Sequence, residues 1–226
     1  MHHEDDFQEK NNTRTILPEV IVLSFIALLF AYGCQYKASH EGEEKDSHEG
    51  VAHRIELPKG ALDAAGNFIY DEGEIKTLVL GKDTLQVGAN STEYQLYSFL
   101  SDEHAALDTV KGNWFDFTNV RFNTGSATIT DSSYKQLKNL AAIVKFFPKA
   151  QFKIGGYTDN TGDSAANVKL SQSRADAVLV AVQKLGVSAA QLTGAKGYGP
   201  EHPVGDNETP EGKAVNRRVS VNVKAK

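Results

Sequence analysis

A single cysteine, Cys34, stands in a chain of 226 residues, so no intramolecular disulfide forms and no cysteine-built metal cluster is available. Stability has to come from packing. Basic residues are also short, with Lys and Arg numbering 24 against 29 Asp and Glu, a formal net charge of −5. No stripe of Lys and Arg with interleaved aromatics occurs, which argues against a nucleic-acid partner. The signatures of catalysis are missing as well: no zinc-ligand pair at helical spacing, no Gly-x-Ser-x-Gly elbow and no phosphate-binding glycine loop. The chain is read as non-enzymatic, with no cofactor and no metal. What it does have is 40% hydrophobic content with only 6 prolines, enough for one ordinary domain plus extras.

Long apolar runs are absent except at "ILPEVIVLSFIALLFAYG", residues 16–33. Eighteen residues are at the short end of what spans about 30 Å of hydrocarbon. A transmembrane anchor over 16–33 is expected, preceded by a tail over 1–15. The competing readings are a cleaved signal peptide and a lipoprotein signal with Cys34 as the lipidated residue. The tail "MHHEDDFQEKNNTRT" is long and acidic, unlike the short basic start of an export signal, and favours the anchor. "FAYGC" places Gly33 and Ala31 ahead of Cys34, but Tyr32 is bulky and a leucine-type residue is missing. Lys10 and Arg14 precede the run while acidic residues dominate after it, which orients the amino terminus to the cytoplasm and the bulk of the chain outside.

Residues 34–53 are rich in charge and poor in apolar side chains, and read as a linker. His40, His48 and His53 within it read as solvated side chains rather than metal ligands. Residues 54–110 hold short alternating runs, then "STEYQLYSFLSDEHAAL", where Ser91 caps a helix with apolar spacing from Tyr94 to Leu100. They predict a small α+β accessory module that packs on the carboxy-terminal half and offers a surface to an envelope protein partner. From 111 to 226 the pattern is more regular. "NWFDFTNVRF" reads as a strand, and "DSSYKQLKNLAAIVKFFP" as a helix ended by Pro148. A strand "AQFKIGGYT", a helix over 164–185, a strand "SAAQLTGAKGYG", a polar loop and a strand "NRRVSVNVK" complete the order. Strand, helix, strand, helix, strand, strand predicts a two-layer α+β sandwich with both helices on one sheet.

Asn167 and Arg174 lie seven residues apart, two helical turns, on one stripe with Leu170, Val178 and Leu185. Arg174 therefore interrupts an apolar face, where a guanidinium needs an internal carboxylate or a ligand oxygen. Asp159, at the end of the preceding strand, is the candidate neighbour. The two either pair with each other or present an anion site beside a cation site, which suits a ligand end bearing one ammonium and one carboxylate. Of Arg217 and Arg218, strand parity allows one to reach a site at the sheet's end.

Four blocks in order, "FNTGSATIT", "GGYTDNTGDSAANVKLSQSRA", "GYGPEHPVGDN" and "NRRV", make residues 112–224 resemble the carboxy-terminal domain of the OmpA-like family. The resemblance implies a βαβαββ-type peptidoglycan-binding module that holds the cell wall non-covalently through the diaminopimelate of the stem peptide. It implies Asp159 for the ligand ammonium, Arg174 for its carboxylate, and hydrogen bonds from Thr161 and Asn167. Asn123 falls where many relatives carry aspartate, and Tyr157 where histidine is frequent and where packing is its expected role. Arg217 completes the expected set. The expectation is a peptidoglycan-binding protein of the bacterial envelope, tethered through 16–33 with its carboxy-terminal domain in the periplasm. A stator-like or transport-complex subunit is the alternative, with Glu19 as its one candidate intramembrane carboxylate.

Overall fold

The structure, a computed structural model, describes residues 57–226. The expected tail, anchor, Cys34 and linker lie outside the described residues. Among the described residues no helix is long and apolar enough to cross a membrane.

The carboxy-terminal half is built on a four-stranded sheet, β5 (Asn113–Asp116), β8 (Val219–Ala225), β6 (Gln151–Tyr157) and β7 (Leu192–Gly199), in that spatial order. β8 runs antiparallel to both β5 and β6, whereas β6 and β7 are parallel. Parallel neighbours need a crossover, and α3 (Ser164–Lys184) supplies it by packing on β6 and β7. α2 (Tyr134–Phe146) lies beside α3 on the same side and buries Leu137, Leu140, Ile143 and Val144 against Phe152, Ile154, Val221 and Val223. The sheet's other face carries Trp114, Tyr157 and Tyr198 in mutual ring contact, with Arg218 stacked 3.8 Å above the Tyr157 ring. Tyr157 is therefore a packing residue on the face away from the helices.

Two expectations change here. The loop before the last strand contains a further helix, α4 (Pro210–Asn216), started by Thr209, whose side chain accepts from Gly212 N, with Pro210 in the first turn. In the polar sequence around it this capping pattern is outweighed by the loop-forming residues. The first strand is also shorter than "NWFDFTNVRF": it stops at Asp116, and the chain from Phe117 onward turns into a loop closed by a bridge between Phe122 and Ile129.

The stripe on α3 is likewise different from the one expected. Its buried residues are Ser171, Ala175, Val178, Ala181 and Val182, and Leu170 and Leu185 are only half-buried. Small residues form the inner face because α3 comes very close to the sheet. A Cβ on Gly156 would stand 2.2 Å from Ser171 O, and one on Gly197 2.2 Å from Gln172 N. Arg174 accordingly flanks the buried face instead of interrupting it.

Residues 60–101 add two hairpins and a helix: β1 (Gly60–Leu62) with β2 (Phe68–Tyr70), β3 (Ile75–Leu80) with β4 (Asp83–Gly88), and α1 (Thr92–Ser101). Leu78, Leu80, Val87, Leu96 and Leu100 join the same core as the large sheet and its helices. A buried polar network ties them in. Glu93 on α1 accepts from Gln136 Nε2 at 2.8 Å and Asn139 Nδ2 at 3.1 Å, and Thr92 Oγ1 donates to Asp116 O at 2.7 Å.

Candidate functional site

The segment Thr158–Asp163 connects β6 to α3 and carries Asp159, which is buried. Asp159 Oδ1 accepts from the backbone N–H of Thr161 at 2.9 Å, so the loop folds back on its own carboxylate. Asn167, on the first turns of α3, donates from Nδ2 to Thr161 O at 2.9 Å and holds the loop from the other side. Asp163 serves the helix instead, capping α3 by accepting from Ala166 N at 2.8 Å. Asp159 Oδ2 takes a charge-assisted bond from Arg217 Nη1 at 2.8 Å. Burial raises the Asp159 pKa, but the Arg217 contact and the Thr161 bonds outweigh it and hold the carboxyl below its ordinary value.

The Asp159–Arg174 ion pair is therefore not formed; Arg217 takes that place. Arg217 is available because it caps the end of α4 rather than lying in β8, which begins at Val219. Strand parity does not govern it, and both Arg217 and Arg218 reach one cavity. Arg218 Nε donates to Asp116 Oδ1 at 3.1 Å.

Arg174 sits differently. Its Nε donates to Ser126 O at 3.0 Å and its guanidinium lies 5.1 Å from the Phe122 ring centre. Among the described residues no carboxylate pairs with it. Burial, then the nearby positive charge of Arg217, lower its pKa, and Asp159 offsets this in part. A partly desolvated cation whose terminal nitrogens bond to none of the described residues is suited to receiving a carboxylate bidentately.

The cavity beside it measures about 290 Å³ and is bounded by Phe122, Thr124 and Gly125, by Arg121, Arg174, Arg217 and Arg218, and by the β1–β2 hairpin. Asn123 is exposed on the same loop, and its backbone N–H donates to Thr128 O at 3.0 Å. Asp159, Thr161, Asn167 and Arg217 thus form one bonded network, Arg174 and Arg217 share the cavity, and Asn123 stands between the lining residues Phe122 and Thr124 without lining it. The hairpin and Arg121 are cavity-lining elements that the sequence reading misses. Asp63 shapes the hairpin turn, accepting from the backbone of Ala65 and Asn67 and from the Asn67 amide. Gly66 O accepts from Arg217 Nη2 at 2.8 Å, and Ala65, Asn67, Phe68 and Tyr70 wall the cavity. The legible signal is local: "LDAAGNF" is an Asp-led turn between two short apolar segments.

Comparison with known proteins places this site in context. The chain is 42% identical over 103 residues to probable lipoprotein YiaD of Escherichia coli, covering 46% of this chain and 47% of that one. It is 34% identical over 121 residues to peptidoglycan-binding protein ArfA of Mycobacterium tuberculosis, 54% of this chain and 35% of that one. The matched segment thus spans about half the length of these curated relatives, or less. Among solved structures, the peptidoglycan-associated lipoprotein from Burkholderia pseudomallei superposes with a TM-score of 0.44 at 34% identity, covering 47% of this chain and 89% of that one. The OmpA family model matches residues 121–217, which take in the cavity loop, Asp159, α3 and Arg217. Residues 121–217 are an OmpA family domain.

Proposed function

We propose that this chain is a membrane-tethered, non-catalytic protein of the bacterial envelope that holds peptidoglycan through the diaminopimelate of the stem peptide. The observation that carries the reading is the half-neutralised pair of arginines at the cavity: among the described residues Arg217 is matched by Asp159, and Arg174 by no carboxylate. A ligand carboxylate completes Arg174, and the ligand's ammonium takes lone pairs of Asp159 left over from Arg217 and Thr161. Thr161 and Asn167 fix the loop, Asn123 offers an amide between Phe122 and Thr124, and the apolar ligand chain lies against Phe122. Related proteins of the same family carry names such as peptidoglycan-binding protein, which supports the substrate class. The tether is the run at 16–33, and the accessory module over 54–110 is the surface for an envelope protein partner.

The test is retention on purified cell-wall sacculi, comparing the wild-type chain with Arg174→Ala and Asp159→Ala. Arg174→Ala is expected to lose about ten- to hundred-fold in affinity, the worth of one charge-assisted contact of roughly 1.5–3 kcal/mol. Its fold should be kept, because the lost bond to Ser126 O is offset by relief of a desolvated charge beside Arg217. Wild-type affinity for sacculi in a folded Arg174→Ala protein overturns the reading.

A further inference from the structure

Of the four guanidiniums on the cavity wall, two are firmly neutralised by the described residues. Arg217 pairs with Asp159 at 2.8 Å and Arg218 with Asp116 at 3.1 Å. Arg121 reaches Asp63 only at 3.9 Å. That carboxylate also accepts from Ala65 N and from both nitrogens of Asn67, so Arg121 shares it at long range and does not hold it alone. The remaining bond of Arg121, from Nη2 to Phe68 O, is long at 3.3 Å. Glu72, which borders a neighbouring cavity together with Arg121, is engaged by Asn119 Nδ2 and Thr118 Oγ1. Arg174 has no carboxylate partner among the described residues.

The cavity therefore holds two guanidiniums with hydrogen-bonding capacity to spare, on separate elements. Arg174 comes from α3 and Arg121 from the loop after β5, and Phe122, next to Arg121 in the chain, carries the Arg174 guanidinium on its ring. A ligand with one carboxylate satisfies one of them. We propose that Arg121 receives a second carboxylate of the same ligand, so that the site selects a stem-peptide segment with two free carboxylates. This rests on the peptidoglycan reading above and deepens it. The diaminopimelate carboxylate goes to Arg174. The α-carboxylate of the adjacent γ-linked glutamate, which that linkage leaves unbonded, goes to Arg121. The β1–β2 hairpin positions the second receptor through Phe68 O and Asp63, and its Phe68 and Tyr70 wall off water from one side of the contact.

Replacing that α-carboxylate by its amide preserves shape and removes the charge, so the pair of peptides isolates the contact. The experiment is calorimetric titration of the full-length chain with L-Ala-γ-D-Glu-meso-diaminopimelate and with its counterpart amidated at the glutamate α-carboxyl. Wild type is expected to bind the free acid about ten-fold more tightly. Arg121→Gln should bind both peptides alike, at about the amidated peptide's wild-type affinity, and Arg121→Lys should keep most of the discrimination. Arg174→Ala should weaken both peptides together. Undiminished discrimination in Arg121→Gln, or none in wild type, overturns the second carboxylate while leaving the Arg174 site standing. Binding of neither peptide by wild type overturns the reading beneath it as well. Should Arg121→Gln fail to fold, loss of discrimination in a folded Arg121→Lys overturns the charge-based account.

Discussion

Gly156→Ala tests whether α3 is held as close to the sheet as the geometry requires. The added Cβ would stand 2.2 Å from Ser171 O, 3.0 Å from Ser171 C and 3.4 Å from Ala175 Cβ. Ordinary contact begins near 3.4 Å, so about 1 Å of separation has to be found. β6 is paired on both edges, to β8 and β7, and cannot retreat without breaking ladder hydrogen bonds. The helix has to lift, loosening Ala175, Val178 and Val182 from the core. Overpacking of this kind costs roughly 1–3 kcal/mol, and at about 2–4 °C per kcal/mol for a chain of this size the midpoint should fall by several degrees. Thermal and urea unfolding followed by the fluorescence of Trp114, the single tryptophan, gives both numbers. Because Arg174 rides on the same helix, the lift also draws its Nε from Ser126 O and should weaken muropeptide binding. A Gly156→Ala protein within about 0.5 kcal/mol of wild type, with unchanged binding, refutes the close approach and the positioning argument built on it. Gly125→Ala is the control: its φ of +64° strains a side chain, yet nothing lies within 4 Å, so only backbone strain of about 1–3 kcal/mol should be felt.

The remaining predictions concern charge, the polar network and the tether. Asp159 has a lowered folded pKa, so the stability it contributes is present above the unfolded value near 3.8 and is lost as pH falls through the folded value. Asp159→Asn should therefore destabilise at pH 7, and its difference from wild type should vanish well below pH 4 in a series of urea melts across pH. Gln136→Ala removes a hydrogen-bond donor from buried Glu93 and should cost about 1–3 kcal/mol by the same melts, with peptide binding intact in the folded fraction. Full-length protein should fractionate with membranes and keep residues 1–15 by mass spectrometry. A mature chain starting at acylated Cys34 would replace the anchor by a lipoprotein.

Much of the α+β layering is legible because its determinants are local and periodic. α2 shows its inner face as Leu137, Leu140, Ala141 and Val144, and β8 as Val219, Val221 and Val223, all buried, whereas Phe147, expected on the same helix face, caps the end of α2 and is only half-buried. α3 is legible as a helix but not in its orientation. Its inner face joins Ser171 and Ala175 to Val178, Ala181 and Val182, a stripe whose first two turns carry no large apolar side chain, and its closeness to the sheet depends on glycines in two different strands. α4 is hidden for a related reason: a seven-residue helix rich in polar and small residues has caps but almost no periodicity.

The site residues divide along the same line. Arg174 is singled out as a charge on a stripe read as apolar, and Asp159 as the carboxylate that ends the preceding strand, and both readings are local. Who pairs with whom is a property of the fold. Arg217 is 58 residues from Asp159 in the chain, and the helix end that delivers it cannot be read from a strand parity. Arg121 is one step further removed. Its neighbours in the sequence do not reveal that it meets a hairpin more than fifty residues earlier, through Phe68 O and through Asp63, whose carboxylate also serves its own turn. Asp159 and Asp116 each already pair with one of the four arginines, Arg217 and Arg218, which leaves hydrogen-bonding capacity on Arg121 and Arg174, and those pairings are made between residues far apart in the chain.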